Sequence, residues 1–261
     1  EVVEGRFGDV LFDPSGSTSV RENMVLSVLK SGTKTGQLYD SAYFDRRLLI
    51  ADDLPGVSLT GFLQSNPKPG HLDLVLKSSK EPAYIADLAA DNANSRSLGS
   101  EKVSFSGILV SPFEYGETIS LQTLKSKGSR YGRLSLGFPL GYRGWKMSLS
   151  GSLMNYSVIA PELKAMDISG KVRDQGVSLR YPITRSRERN LYATVNYDHR
   201  EYLTTVAGIA QKDYSIDNGK IEFSGNFFDK FNCLRNISKT KRLLFYRNNI
   251  YNYAFVNTTN L

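Results

Sequence analysis

Tyr131-Gly132-Arg133-Leu134-Ser135-Leu136-Gly137-Phe138-Pro139-Leu140 and, after a short turn, Trp145-Lys146-Met147-Ser148-Leu149-Ser150-Gly151-Ser152-Leu153 are the stretch on which the fold turns. In the first segment Leu134, Leu136, Phe138 and Leu140 are apolar, and Arg133, Ser135 and Gly137 oppose them. In the second, Trp145, Met147, Leu149 and Leu153 alternate with Lys146, Ser148, Ser150 and Ser152. A β-strand turns successive side chains to opposite faces, so each segment is a ribbon with one apolar and one polar side.

Working outward, the same period recurs. Leu191, Ala193, Val195 and Tyr197 alternate with Tyr192, Thr194, Asn196 and Asp198, and Ile221, Phe223 and Phe227 with Glu222, Ser224 and Asn226. Weaker segments lie near 83–91, 100–111, 117–126 and 166–181, which brings the count over 81–229 to about eight strands. Short Gly- or Pro-bearing turns and no intervening helix imply an antiparallel meander. A soluble sandwich could look identical one strand at a time. Runs of about 10–16 residues, against a usual soluble length of about 5–6, favour a transmembrane meander that is part of a larger β-barrel. On that reading Leu136, Leu149 and Val195 face lipid, and Ser135, Ser148 and Asn196 face the lumen.

Residues 1–80 differ. Arg6–Asp13 reads as a strand closed by Asp13-Pro14-Ser15-Gly16. Val20–Lys30 has helical spacing at Val20, Met24, Val25 and Val28, with Gly32 placed to stop it. Asp40 or Ser41 can cap a second helix running to Leu54, with Phe44, Leu48 and Ala51 on one face and Pro55-Gly56 as its break. Strands follow at Val57–Leu63 and around Leu72, Leu74 and Leu76. The order strand-helix-helix-strand-strand is an α+β domain with one small core.

Bulk properties exclude several functions. The 261 residues include 15 Tyr, 13 Phe and one Trp, with a net charge of +7, and mean hydropathy is −0.31. No run reaches the roughly 18 apolar residues of a spanning helix, but barrel strands need only about 9–11 alternating ones. Lys and Arg are scattered, most of them at turns or on one alternate face, so a wet surface explains them as well as nucleic-acid binding does. Cys233 has no partner for an internal disulfide, and His71 and His199 lie in no metal-ligand spacing. Asp13-Pro14-Ser15-Gly16-Ser17-Thr18 lacks the second Asp of a phosphatase motif. Gly56-Val57-Ser58-Leu59-Thr60-Gly61 is one residue too long for a nucleophile elbow and precedes a strand. No base–nucleophile pair can be argued, so no catalytic residue, metal or cofactor is expected.

Five stretches carry a resemblance. Tyr43-Phe44-Asp45-Arg46-Arg47-Leu48-Leu49-Ile50-Ala51-Asp52-Asp53-Leu54-Pro55-Gly56-Val57 resembles the second helix and following strand of the POTRA domain next to the barrel in two-partner secretion transporters, the exporters of the hemolysin-activator and filamentous-hemagglutinin type. Pro69–Leu76 is similar to the last POTRA strand, and Ala90–Gly99 to the turn after the first barrel strand. Phe138–Trp145 and Leu179–Ser186 are similar to two later barrel landmarks.

The resemblance implies an outer-membrane translocator of a Gram-negative bacterium. Its POTRA domain lies in the periplasm and captures the N-terminal secretion domain of a large exoprotein (an adhesin, cytolysin or haem-acquisition protein). Outer-membrane lipid and the barrel-insertion machinery are its other partners, and it needs no cofactor. A barrel-assembly factor has the same plan, and a soluble β-rich binding protein is the remaining alternative. Client capture by strand addition would use a groove between helix 40–54 and strand 57–63, with Phe44, Leu48, Leu59 and Leu63 as lining residues. Measured against that family, a first POTRA, the plug helix and the signal peptide are missing upstream and the later strands and inward-folding loop downstream, so the chain is expected to be a truncated copy, incomplete at both ends. Residues 230–261 read as a divergent tail without sustained alternation. About eight strands close no more than a narrow, filled barrel, so the chain by itself is expected to form an unclosed sheet that neither conducts nor secretes.

Overall fold

A computed structural model describes residues 5–13, 15–228, 234–248 and 252–259. Pro14 and Cys233, both used in the sequence reading, lie outside them, as does part of the tail 230–261.

The first domain comprises β1 (Arg6–Phe12), α1 (Glu22–Lys30), α2 (Ser41–Asp52), β2 (Val57–Ser65) and β3 (His71–Lys80). This is the strand-helix-helix-strand-strand order read from the pattern. The Asp40 carboxylate accepts hydrogen bonds from the amides of Ala42 (3.0 Å) and Tyr43 (3.2 Å), satisfying two of the free donors at the start of α2. Gly56 ends the connection to β2 with φ +97°, a conformation that costs glycine little. The sheet order is β1-β3-β2, with β1 parallel and β2 antiparallel to the central β3. Val25, Val28 and Leu29 of α1 and Phe44, Leu48 and Ala51 of α2 meet Leu74 and Leu76 of β3 in one core. Helix α1 starts two residues later than its apolar spacing suggests, and Val20 joins the core from the preceding turn.

Eight strands follow: β4 (Tyr84–Asp91), β5 (Lys102–Val110), β6 (Thr118–Ser126), β7 (Ser129–Leu140), β8 (Trp145–Ser157), β9 (Ser169–Arg185), β10 (Arg189–Val206) and β11 (Ile209–Phe228). Where the sequence shows no alternation, the backbone continues the meander as β12 (Leu234–Asn248) and β13 (Asn252–Thr259). All ten pair antiparallel in chain order, from β4 at one end of the sheet to β13 at the other. These two ends are not paired with each other among the described residues, so the barrel is partial.

The register fixes the two faces. Ile119, Leu136, Leu149, Val177 and Tyr197 form one cross-strand row. Gly137, Ser148, Ser178, Asn196 and Lys220 form another on the opposite face. The polar face carries its own hydrogen bonds, Arg133 Nη2 to Ser150 Oγ at 2.9 Å and Arg200 Nε to Asp174 Oδ2 at 2.6 Å. Every buried core hydrophobic lies between Phe7 and Leu76, whereas Leu134, Leu149, Leu153, Val195 and Phe223 stand exposed. A sandwich would bury that apolar face against a second sheet. Here no described residue covers it, which suits a surface that meets lipid.

Candidate functional site

Two features of the small domain bear on function: the outer edge of β2 and the joint that seats α2 on the barrel. Among the described residues β2 pairs on one side only, with β3, so its other side is an open edge on which the Leu59 amide is already taken by Asp52 Oδ1 at 2.6 Å and the stretch Thr60–Ser65 carries no other strand. An edge strand of nine residues is a ready template for strand addition.

The four apolar residues expected to line a groove beside this edge divide unequally. Phe44, Leu48 and Leu59 are 3%, 8% and 7% exposed and belong to the core, while Leu63 is 43% exposed. The space between α2 and β2 is filled. A Cβ added at Gly61 would stand 3.1 Å from both Leu48 Cδ2 and Leu74 Cδ1, so Leu48 already rests on the backbone of β2. Phe44 does line a cavity of about 120 Å³, but with Phe7, Thr33 and Tyr43, at the start of α2 rather than along β2. The edge therefore offers Leu63 on the helix side and Phe62, half-exposed, on the other face of the sheet.

The joint was not anticipated. Asp53, the residue that caps the C-terminus of α2, is gripped by Arg185 at the end of β9, with Nε to Oδ2 at 2.9 Å and Nη2 to Oδ1 at 2.8 Å. Lys146 of β8 donates its ammonium to the Asp53 carbonyl. Two cations at a helix C-terminus also face the negative end of its dipole. Arg46 reaches the carbonyls of Pro182 (2.7 Å) and Ile183 (3.1 Å), and Arg47 that of Tyr142 (3.3 Å). Gly144 passes close to both partners. A Cβ there would lie 2.8 Å from Pro182 and 3.2 Å from Ile50, and its φ is +88°. On the other side of the domain Arg21 pairs with Glu114 of the β5–β6 loop at 3.2 Å, and Ser111 Oγ donates to the Pro55 carbonyl at 2.8 Å.

Three of the five stretches quoted above thus meet at one place: 43–57 supplies Arg46, Arg47 and Asp53, 138–145 supplies Tyr142 and Gly144, and 179–186 supplies Pro182, Ile183 and Arg185. Replacing Asp53 by Asn leaves the Arg185 guanidinium facing a neutral amide. A hydrogen bond to a charged group contributes about 1.5–3 kcal/mol, and the joint is expected to loosen by that order. Nitroxide labels at Asn23 and Gln175, with Cys233 replaced by Ser, should then report a broader inter-domain distance distribution. A width unchanged by Asp53→Asn would show that this pair does not hold the domain.

An α/β domain seated on the rim of a partial antiparallel barrel, with one bare apolar face and one wet face, defines an outer-membrane protein of the POTRA-plus-barrel plan. Solved structures share that fold. The chain superposes on CdiB from Escherichia coli with a TM-score of 0.75 at 11% identity, covering 93% of this chain and 45% of that one. CdiB from Acinetobacter baumannii gives 0.67 at 15% identity, with 93% and 48% covered. BamA from Haemophilus ducreyi lacking POTRA domains 1–3 gives 0.53 at 9% identity, with 98% and 56% covered. The chain therefore spans about half the length of the CdiB structures it matches. No curated protein matches it. Residues 70–232 match the family described as haemolysin secretion/activation protein ShlB/FhaC/HecB. The chain belongs to that family, the outer-membrane transporters of two-partner secretion.

Proposed function

We propose that this chain is the POTRA and first-half-barrel segment of a translocator that binds a large exoprotein in the periplasm and passes it through the outer membrane. The observation that carries the reading is the open β2 edge beyond Leu59, held at a set position under the barrel rim by the joint on the adjacent helix. An extended client can add along Thr60–Ser65 as a further strand, with main-chain hydrogen bonds giving affinity and side-chain contacts giving selectivity. Of the residues named from sequence, Leu63 can touch a client without disturbing the core. Phe44, Leu48 and Leu59 instead hold α2 against the sheet and so keep the edge in place. The reaction is transfer of a chain, with no bond made or broken, and needs no catalytic group.

Binding of an exoprotein's N-terminal secretion domain to the whole chain tests this. Leu63→Asp places a charge where an apolar contact is expected, and affinity should fall about tenfold, or ~1.4 kcal/mol. Unchanged affinity in Leu63→Asp and in a Phe62→Asp/Leu63→Asp pair would remove the edge from the client path. Binding of unfolded barrel hairpins in preference to a secretion domain would point instead to barrel assembly.

A further inference from the structure

The apolar face of the sheet changes character abruptly toward the end distant from the POTRA domain. Lys125 of β6, Arg130 of β7, Asn155 of β8 and Lys171 of β9 are consecutive partners in one cross-strand row. All four are exposed and all lie on the same face as Leu121, Leu134, Leu153 and Val177. Lys125 is four residues beyond Leu121, Arg130 four before Leu134, and Lys171 six before Val177, with Gly132, Thr123 and Gln175 among the residues between. At about 3.4 Å per residue and a tilt of about 35–45°, the row stands about 10 Å past Leu121 and Leu134 and about 5 Å past Leu153, the last aliphatic side chain of β6–β8 on this face, with Val103 of β5 and Leu203 of β10 at its two ends.

Below this row the apolar face of β5–β8 bears no charged side chain among the described residues as far as Trp145 and Leu109. Arg173, one row lower on β9, is also exposed but is engaged by Glu201 at 3.7 Å. Lys125, Arg130 and Lys171 make no ion pair with a described residue. Among the described residues of β5–β11 the acids of this face, Glu201, Asp213 and Asp217, are confined to β10 and β11. Strands stand about 4.8 Å apart, so the three cations from β6 to β9 span about 14 Å. Open recesses of about 560 Å³ beside Lys125, Arg130 and Asn155, and about 580 Å³ beside Lys171 and Arg173, leave room for a bulky polar group.

We infer that the row Lys125–Arg130–Asn155–Lys171 is a binding site for the phosphorylated sugar headgroup of an outer-leaflet glycolipid. The inference rests on the reading that the apolar belt below it meets lipid. A headgroup whose acyl chains pack on Leu121, Leu134 and Leu153 holds its phosphates about one headgroup depth above them, where the three cations stand. Arg130 presents a planar fork to a phosphate, the two lysines act as point charges, and the Asn155 amide can donate to a sugar hydroxyl. Exposed cations on the same row but on the polar face would meet water. These can meet the anionic plane of the membrane surface.

Retention of diphosphoryl lipid A by the whole refolded chain in detergent, followed by native mass spectrometry, tests the site. Dephosphorylated lipid A and inorganic phosphate serve as the two comparison ligands. The wild-type chain should hold the diphosphoryl form at least about tenfold more tightly than the dephosphorylated one. The triple variant Lys125→Gln, Arg130→Gln, Lys171→Gln should lose that preference while holding the dephosphorylated lipid as before. All three side chains are exposed, so the fold is kept, as circular dichroism will show. A matched pair elsewhere, Lys34→Gln with Lys68→Gln, should change nothing. Equal retention of diphosphoryl lipid A by wild type and triple variant would overturn the site. Displacement by inorganic phosphate at comparable concentration would overturn the lipid as its source. If even the wild type held neither lipid, it is the lipid-facing reading of the belt that would fail.

Discussion

Replacing Leu48 by Ala is expected to remove most of the stability of the POTRA domain. Leu48 is 8% exposed and rests between Gly61 of β2 and Leu74 of β3, in a core with Phe44, Leu59 and Leu76. Truncation of such a leucine costs about 2–5 kcal/mol, the lost transfer energy plus the cavity left behind. A domain of about 80 residues holds roughly 4–12 kcal/mol in all, so the loss consumes much of it. Thermal unfolding of residues 1–80 followed by circular dichroism gives the measurement. Wild type should melt cooperatively and Leu48→Ala at a much lower temperature. Gly61 supplies an internal check. Its absent Cβ is what lets Leu48 approach the strand, so Gly61→Ala should harm the wild type. In the Leu48→Ala background it should recover about 0.5–1 kcal/mol, by filling space and stiffening the strand. Absence of a cooperative transition in the wild-type segment would mean that the domain does not end near residue 80.

The parts of this structure that were legible in sequence are those set by local periodicity. Alternation at 131–140, 145–153 and 191–197 names the strands and their faces, because side-chain direction in a strand depends on the residue alone. Asp40 announced the start of α2 through its capping chemistry, and Pro55-Gly56 its end. Whether a groove stands open beside β2 is not legible in the sequence, for a physical reason. Phe44, Leu48 and Leu59 lie on the inner faces as read, but whether two inner faces enclose space or fill it depends on a missing Cβ at Gly61. The joint depends on pairs such as Asp53 with Arg185, 132 positions apart, and no periodicity reports a contact of that range. Its trace was nevertheless present, since three of the five family-like stretches meet there. Strands β12 and β13 left no trace. A strand added to the edge of β11 can take its backbone pairing from that edge with little help from its own pattern.

Arg in place of Leu149 is expected to destabilise the membrane-inserted sheet by about 2–4 kcal/mol, whereas Arg in place of Ser148 is tolerated. The two positions are adjacent in sequence and opposite in environment. Leu149 pairs with Leu136 on one side and Val177 on the other, in the middle of the row from Ile119 to Tyr197. An arginine there has aliphatic neighbours on both strands and no polar group to reach. Ser148 pairs with Gly137 and Ser178, and the row continues through Asn196 to Lys220. The small Gly137 and Ser178 leave room for a long side chain, and the face is already hydrogen-bonded and wet. Lys146 and Arg180 nearby raise the cost of a third cation only by screened repulsion. Denaturant titration of the chain refolded into lipid vesicles separates the two variants. If both lost stability equally, the two faces would be equally packed and the sheet would be a sandwich layer. Damage confined to Leu149→Arg means that a single register assigns every side chain from β5 to β11 to lipid or lumen, since a slip of one residue would exchange the two sets. The cation row at Lys125, Arg130 and Lys171 is bound to the same register. The variant pair therefore also tests whether those three side chains point away from the lumen.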